Sequence, residues 1–491
     1  MSGPPNAAQA IKPDKRVLPW VVGVALFMEN LDATIINTAV PTMAASLNVP
    51  SLSLKAVLTS YMLSLAVFIP VSGWVADRFG TRRVFQAAIA LFSIGSLLCG
   101  LAVNVPMLVV SRIIQGVGGA MMMPVGRVAL VRIFPKSELI RAMNFVVIPA
   151  LIAPLLGPFT GGMIVHWMPW RMIFFLNLPV GLLGWFFAHR FMPNFRDANS
   201  PPLDKRGFLL FGSGIALLSY VLEIFGEHSL PWAQMAGLFV ISLLLLGAYG
   251  WHANRVSAPL LHLGLFKIRT FRVSVVGGCV TRLGISGMPF MLPLLYQIGL
   301  GYEPWQAGLL TIPQALAAIG MKLMTRPILA RFGHRNVLVV NTVVIGLFIM
   351  VFGLVRPGTP LVMIIVLSLC QGFASALQFT SMNTLVYADI DSADASKASS
   401  IGSTAQQFSI SFGVAFAAVV AAFFLGGSPQ VHGPVFISAL HHAFLTLGII
   451  TILSSSTFGT LKSGDGNNIS NRPADPEEKT ESARPSTALG A

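Results

Sequence analysis

Apolar residues dominate this chain in long runs, separated by short polar stretches that carry most of the charge. A helix rises ~1.5 Å per residue, so about 20 apolar residues cross the ~30 Å hydrocarbon layer of a bilayer. Runs of that length recur about fourteen times. They lie near 18–40, 55–76, 84–104, 107–131, 140–165, 171–191, 207–226, 232–252, 271–297, 306–329, 337–355, 361–387, 400–425 and 434–458. The pattern predicts an all-α integral membrane protein. Runs 207–226 and 232–252 are joined only by Gly226 to Pro231, which predicts an antiparallel hairpin. Residues 1–16 are polar and basic and precede the first span. Residues 462–491 are rich in Ser, Asp, Glu and Pro and are expected to be a disordered tail.

Composition agrees with the pattern. The 491 residues are 54% hydrophobic and 10% charged, against ~25% charged in soluble domains. The formal net charge of +14 would suit nucleic acid on a soluble basic face. Here the basic residues sit in short loops, so they report topology instead and no nucleic-acid partner is expected. With the N-terminus inside, only Lys55, Arg171 and Arg356 of the 32 Lys and Arg fall on the far side. Arg112, Arg282 and Lys322 lie within spans, and the remainder are cytoplasmic. Both termini are therefore expected in the cytoplasm. The three cysteines, Cys99, Cys279 and Cys370, all fall inside apolar runs and predict no disulfide framework. No phosphate-binding loop or nucleophile elbow is present, and the histidines show no metal-like spacing beyond the weak adjacent pair His441-His442, so neither an enzyme nor a bound cofactor is expected.

The chain repeats itself. Val75-Ala-Asp-Arg-Phe-Gly-Thr-Arg-Arg-Val84 returns, degraded, as Ile328-Leu-Ala-Arg-Phe-Gly-His-Arg-Asn-Val337. Both copies follow a span at corresponding positions, which predicts two six-helix halves, 17–192 and 270–458, with two linking spans in 207–252 between them.

Chemistry concentrates in the first span, where Glu29 and Asp32 stand one helical turn apart on one face. An Asp at membrane depth costs roughly 2.5–3.5 kcal/mol on insertion scales, so it usually faces a bundle interior or a water-filled path. Arg112 in the fourth span is a buried cation that needs a carboxylate or carbonyls beside it, and Asp32 or Glu29 is the natural partner. The loop Gly73-Trp-Val-Ala-Asp77-Arg78-Phe-Gly80-Thr-Arg82-Arg83 offers glycines for close approach and a tight turn, and an ion-pair cluster able to lock helices in one conformation. Gly157, Pro158, Gly161 and Gly162 in the fifth span predict a kink and tight packing. Asn37, Gln115, Met122, Arg282 and Phe290 are candidates for a substrate cavity. Arg282 and Lys322 fit either an anionic substrate group or a structural pair, and Glu223 fits a snorkelling side chain at a span end.

These residues carry a resemblance. The loop from Gly73 to Arg83 is similar to the G-x-x-x-D-R-x-G-x-R-R signature of the major facilitator superfamily. Leu31-Asp-Ala-Thr-Ile-Ile-Asn-Thr-Ala-Val-Pro41, Arg112-Ile-Ile-Gln-Gly-Val-Gly118, Gly157-Pro-Phe-Thr-Gly-Gly162 and Trp170-Arg-Met-Ile-Phe-Phe-Leu-Asn-Leu-Pro-Val-Gly181 resemble motifs of its fourteen-span drug:proton antiporter branch. Ala153 departs from that branch's fifth-span motif, and Glu29 stands where relatives often carry Gln. The resemblance covers about residues 17–460. It implies the major facilitator fold with fourteen spans, a bacterial cytoplasmic-membrane location and a monomer. It further implies proton-driven efflux of small amphipathic organic compounds, with Asp32, Glu29 and Arg112 in proton coupling. From the residues alone, a proton symporter or facilitator for a metabolite, or a non-transporting membrane sensor, remains open.

Overall fold

The computed structural model describes residues 17–134, 136–197, 202–225, 231–391, 394–426, 434–462 and 464–470. The expected N-terminal segment 1–16, most of the connection after Phe225 and the tail beyond residue 470 lie outside the described residues. Within them every regular element is helical. In chain order these are α1 (Leu18–Leu47), α2 (Lys55–Phe79), α3 (Thr81–Gly100), α4 (Val105–Ile133), α5 (Lys136–Trp167), the short α6 (Met172–Phe175) and α7 (Asn177–Phe191). There follow α8 (Lys205–Phe225), α9 (Trp232–Ala253), α10 (Arg269–Ile285), α11 (Met288–Leu294), α12 (Pro304–Phe352), α13 (Leu361–Leu385), α14 (Ala395–Phe424), α15 (Pro434–Phe458) and the short α16 (Asn467–Ser470).

Thirteen helical stretches among the described residues are long and apolar enough to cross a membrane. The count differs from the expected fourteen because the runs 306–329 and 337–355 are continuous in α12. At 49 residues α12 is far longer than a bilayer requires. Gly333 interrupts it with φ 74° and ψ 160°, outside helical geometry. Gly80, at the same place in the first copy of the repeat, separates α2 from α3 with φ 96° and ψ 137°. Positive φ is costly for any residue with a Cβ, so both copies use glycine to turn.

Helices α1 to α7 pack mainly among themselves, as do α10 to α15. The two groups meet along two seams, α5 against α12 and α2 against α14. Helix α8 pairs with α9, as the short connection predicts, and also touches both α2 and α14. Asp204 caps α8, accepting from Gly207 N at 2.8 Å, and ties it to α9 through His252 Nε2 at 2.8 Å.

The largest apolar cluster of the described residues joins both groups. It draws Ile35 to Ala44 from α1, Met288 to Leu295, Val414 to Ala421 from α14 and Phe436 to Leu447 from α15. All of these lie toward the membrane face away from the Gly80 and Gly333 turns. Near the turns, the first group has its own core around Leu18, Phe85 and Leu130, and the second around Leu338, Met382 and Phe458. The molecule is therefore sealed at the end remote from the turns.

The glycines of α5 allow close crossings. A Cβ at Gly157 would meet Thr34 Oγ1 at 2.1 Å, and one at Gly161 would meet Ile35 O at 2.3 Å. On the other flank a Cβ at Gly162 would meet Pro304 O at 2.3 Å, and one at Gly308 would meet Pro158 O at 2.5 Å. Backbone lies against backbone here, so the expected tight packing is present on both sides of α5. Thr38 Oγ1 also donates to Pro158 O at 3.0 Å. Beyond α15, Arg269 Nε donates to Asp465 Oδ2 at 3.0 Å, so the expected disorder does not begin at residue 462.

Since Ile35 O cannot rotate away, Gly161→Val is expected to lower stability by about 1–3 kcal/mol through overpacking. Thermal unfolding in detergent measures it, with Gly237→Val, where a Cβ meets nothing within 4 Å, as the unaffected control.

Candidate functional site

Asp32 sits in the middle of α1 and is 1% exposed. Arg112, also 1% exposed, reaches it from α4 and forms a salt bridge between Nη1 and Oδ2. Two amides complete the carboxylate's shell. Gln115 Nε2 donates to Oδ1 at 2.8 Å, one helical turn beyond Arg112, and Asn177 Nδ2 donates to Oδ1 at 2.8 Å from the start of α7. The guanidinium has further partners: Nη1 donates to Gln115 Oε1 at 2.8 Å and Nε to Val57 O at 3.3 Å. Its carbon lies 4.2 Å from the ring centroid of Tyr61. Asn177 donates in addition to Ser96 Oγ at 2.9 Å. A carboxylate and a guanidinium are thus held together away from water by groups from α1, α2, α3, α4 and α7. A buried pair tolerates such a place only when its remaining hydrogen-bonding capacity is satisfied.

The pairing of Arg112 with Asp32, rather than with Glu29, resolves an alternative that the sequence left open. Glu29 Oε2 is shielded from solvent and has no hydrogen-bond partner. Gln115, expected in a substrate cavity, instead belongs to the charge network. Met122 and Phe290 are each 0% exposed within apolar cores and present no surface to a cavity in this conformation. Asn37 is buried on α1. Arg282 is buried in the second group of helices, where Nη2 donates to Asn383 Oδ1 at 3.3 Å and the guanidinium lies 5.2 Å from the Phe379 ring. Lys322 is exposed on α12. Glu223 does not snorkel freely, since its Oε2 accepts from Thr59 Oγ1 at 3.4 Å.

The loop with Gly80 departs from expectation in two respects. Asp77 pairs with Arg132 at the end of α4, at 2.9 Å, and not with the arginines of its own loop. Gly73 provides no close approach, because a Cβ there would meet nothing within 4 Å. Gly80 is crowded instead by Asn194, whose Oδ1 would lie 2.3 Å from a Cβ. The segment after α7 folds back over the turn: Thr81 N donates to Phe195 O at 3.0 Å, and Asp197 N to Asp77 O at 2.9 Å. Arg78 is exposed, Arg82 is half-buried, and neither meets a carboxylate among the described residues. Between the two groups, Arg127 Nη1 donates to Ser399 Oγ at 3.1 Å.

Asn177, Tyr61 and Ser96 were not singled out from sequence. Asn177 had a signal, being an amide inside an otherwise apolar run. Tyr61 and Ser96 had none, since hydroxyls are common in spanning helices.

Two helical groups that meet along two seams, with a buried charge network inside the first, have the arrangement of a membrane transporter. The Major Facilitator Superfamily model matches residues 22–414, and the chain belongs to that family. It is 38% identical over 439 residues to a Serratia proteamaculans protein provisionally named multidrug resistance protein MdtD, covering 89% of this chain and 92% of that one. It is 40% identical over 426 residues to the Pectobacterium atrosepticum protein of the same provisional name, covering 87% and 90%. Among solved structures, a D-xylose-proton symporter superposes with a TM-score of 0.65 at 14% identity, over 92% of this chain and 99% of that one. A POT family transporter in complex with a thioalcohol-conjugated peptide superposes with 0.66 at 14%, over 90% and 94%. These last two likenesses establish the fold.

Removing one member of a buried ion pair strands the other. Arg112→Met is expected to cost about 3–5 kcal/mol, while Asp32→Asn with Arg112→Met is expected to recover most of that loss. A double-mutant cycle by unfolding of the purified protein measures the coupling.

Proposed function

We propose that this protein exports small amphipathic organic compounds across the bacterial cytoplasmic membrane in exchange for protons. The observation that carries the reading is the Asp32–Arg112 pair, closed in by Gln115 and Asn177 at membrane depth. While Asp32 is ionised, the network ties α1 to α4 and α7. A proton on Asp32 removes the negative charge, releases Arg112 from its strongest contact and changes which arrangement of the two halves is favoured. Asp32 is the principal proton site. Glu29, one turn away without a hydrogen-bond partner at Oε2, is an auxiliary carboxyl. The likeness to proteins provisionally named for multidrug resistance supports drug-like cargo.

In this reading Gly333 is a turn between two spans, which makes fourteen, and the Gly80 and Gly333 turns face the cytoplasm with both termini. The apolar seal then lies on the outer side, and the conformation is closed to the outside. The Asp77–Arg132 pair and the strap of residues 193–197 brace the first half near the cytoplasmic surface. The halves correspond to 17–192 and 270–458, linked by 207–252. The protein works as a monomer, holds no cofactor, draws energy from the proton gradient and catalyses no covalent reaction.

In everted vesicles energised to be acid inside, adding ethidium or tetraphenylphosphonium is expected to discharge the pH gradient as the compound accumulates. Asp32→Asn is expected to abolish this exchange at unchanged protein level, whereas Glu29→Gln retains it. Undiminished coupled flux in Asp32→Asn would remove Asp32 from the mechanism. Compound leaving the vesicles together with protons would identify a symporter.

A further inference from the structure

A groove of about 430 Å³ opens on the outer face of the first half, between the Gly80 turn and helices α3 and α4. Its two ends differ chemically. Arg78, Arg83 and Arg196 form the rim beside the turn. Ala87 and Leu91 from α3, with Val117 and Met121 from α4, form the walls that run into the membrane. The walls continue as exposed apolar stripes at helical spacing: Leu91 leads to Ile94 and Leu97 on α3, and Met121 and Val117 lead to Ile113 and Val110 on α4. Exposed apolar stripes on spanning helices suit lipid tails, so the groove leads from its basic rim onto a surface where an acyl chain can lie.

The rim is cationic. All three guanidiniums are exposed, and among the described residues none lies within salt-bridge distance of a carboxylate. The neighbouring Asp77 is committed to Arg132. Arginine forks suit phosphate oxygens, and basic pockets at the ends of spanning helices bind anionic headgroups. A free phosphate would use the rim and leave the apolar walls idle. A neutral lipid would use the walls and leave three cations unmatched. One molecule matches both ends.

We propose that this groove binds an anionic phospholipid, with its phosphate on Arg78, Arg83 and Arg196 and an acyl chain along Ala87, Leu91, Val117 and Met121. The site is separate from the Asp32 network and does not depend on the transport reading. Because Arg78 belongs to the turn and Arg196 to the strap that covers it, a bound headgroup joins the two segments across the Gly80 bend.

The test is native mass spectrometry of the purified full chain, offered phosphatidylglycerol and phosphatidylcholine at equal concentration. The expected result is one phosphatidylglycerol retained in preference. Arg83→Gln with Arg196→Gln is expected to weaken that retention on the order of tenfold, at about a factor of several per arginine removed. Ala87→Trp, which fills the groove at an exposed position and leaves the arginines intact, is expected to weaken it as well. Glycerol phosphate, the headgroup without chains, is expected not to displace the lipid. Equal retention of the two lipids by the unaltered protein would overturn the proposal, as would displacement by glycerol phosphate or retention unaffected by Ala87→Trp.

Discussion

Burying two opposite charges in a lipid-embedded bundle constrains everything around them. Neither Asp32 nor Arg112 can move alone without leaving its partner uncompensated, which makes the pair a joint rather than two residues. Each satisfies its remaining capacity through groups fixed on separate helices: Gln115 on α4, Asn177 on α7 and the Val57 carbonyl on α2. The first half is organised so that these groups converge. The second half holds a buried cation as well, but Arg282 meets an amide and an aromatic ring in place of a carboxylate. An arginine keeps its charge at any physiological pH, so Arg282 depends on the amide and the ring for its partners.

The architecture beyond the pair is one of close contact without strong polar ties. Helix α5 presses glycine against α1 on one side and against α12 on the other, at distances that admit no side chain. Apolar packing closes the end remote from the turns. In lipid, association of helices gains little from the hydrophobic effect and depends on such packing and on sparse hydrogen bonds. Contacts of this kind hold the helices close without fixing them by charge.

Much of this was legible in the chain. Span positions follow from hydropathy because the bilayer forbids unpaired backbone groups and leaves few choices. The repeat around Gly80 and Gly333 was readable, and both glycines adopt positive φ. Asp32 and Arg112 announced themselves as charges where charge is expensive. What sequence left unreadable was mostly a matter of direction. Met122 and Phe290 look the same in a string whether they face a cavity or a core, and periodicity is weak in helices that are apolar on every side. Gln115 was noticed but placed in the wrong setting, because spacing along α4 does not say which helix lies opposite. The partner of Asp77 was misread for the same reason: Arg132 is remote in sequence and near only after α2 and α4 have packed.

Helix α8 gives the two seams unequal surroundings. It rests on α2 and α14 together, with Phe211 and Ile215 beside Val67 and with Thr59 donating to Glu223. Along that stretch the α2–α14 boundary is roofed by protein. Among the described residues the α5–α12 boundary has no such roof, and Leu156, Met163, Leu309 and Leu316 on its two helices are exposed. A molecule dissolved in the membrane leaflets thus meets one flank that is shuttered and one that is bare. Along the roofed stretch, a sideways approach to the interior meets α8 first.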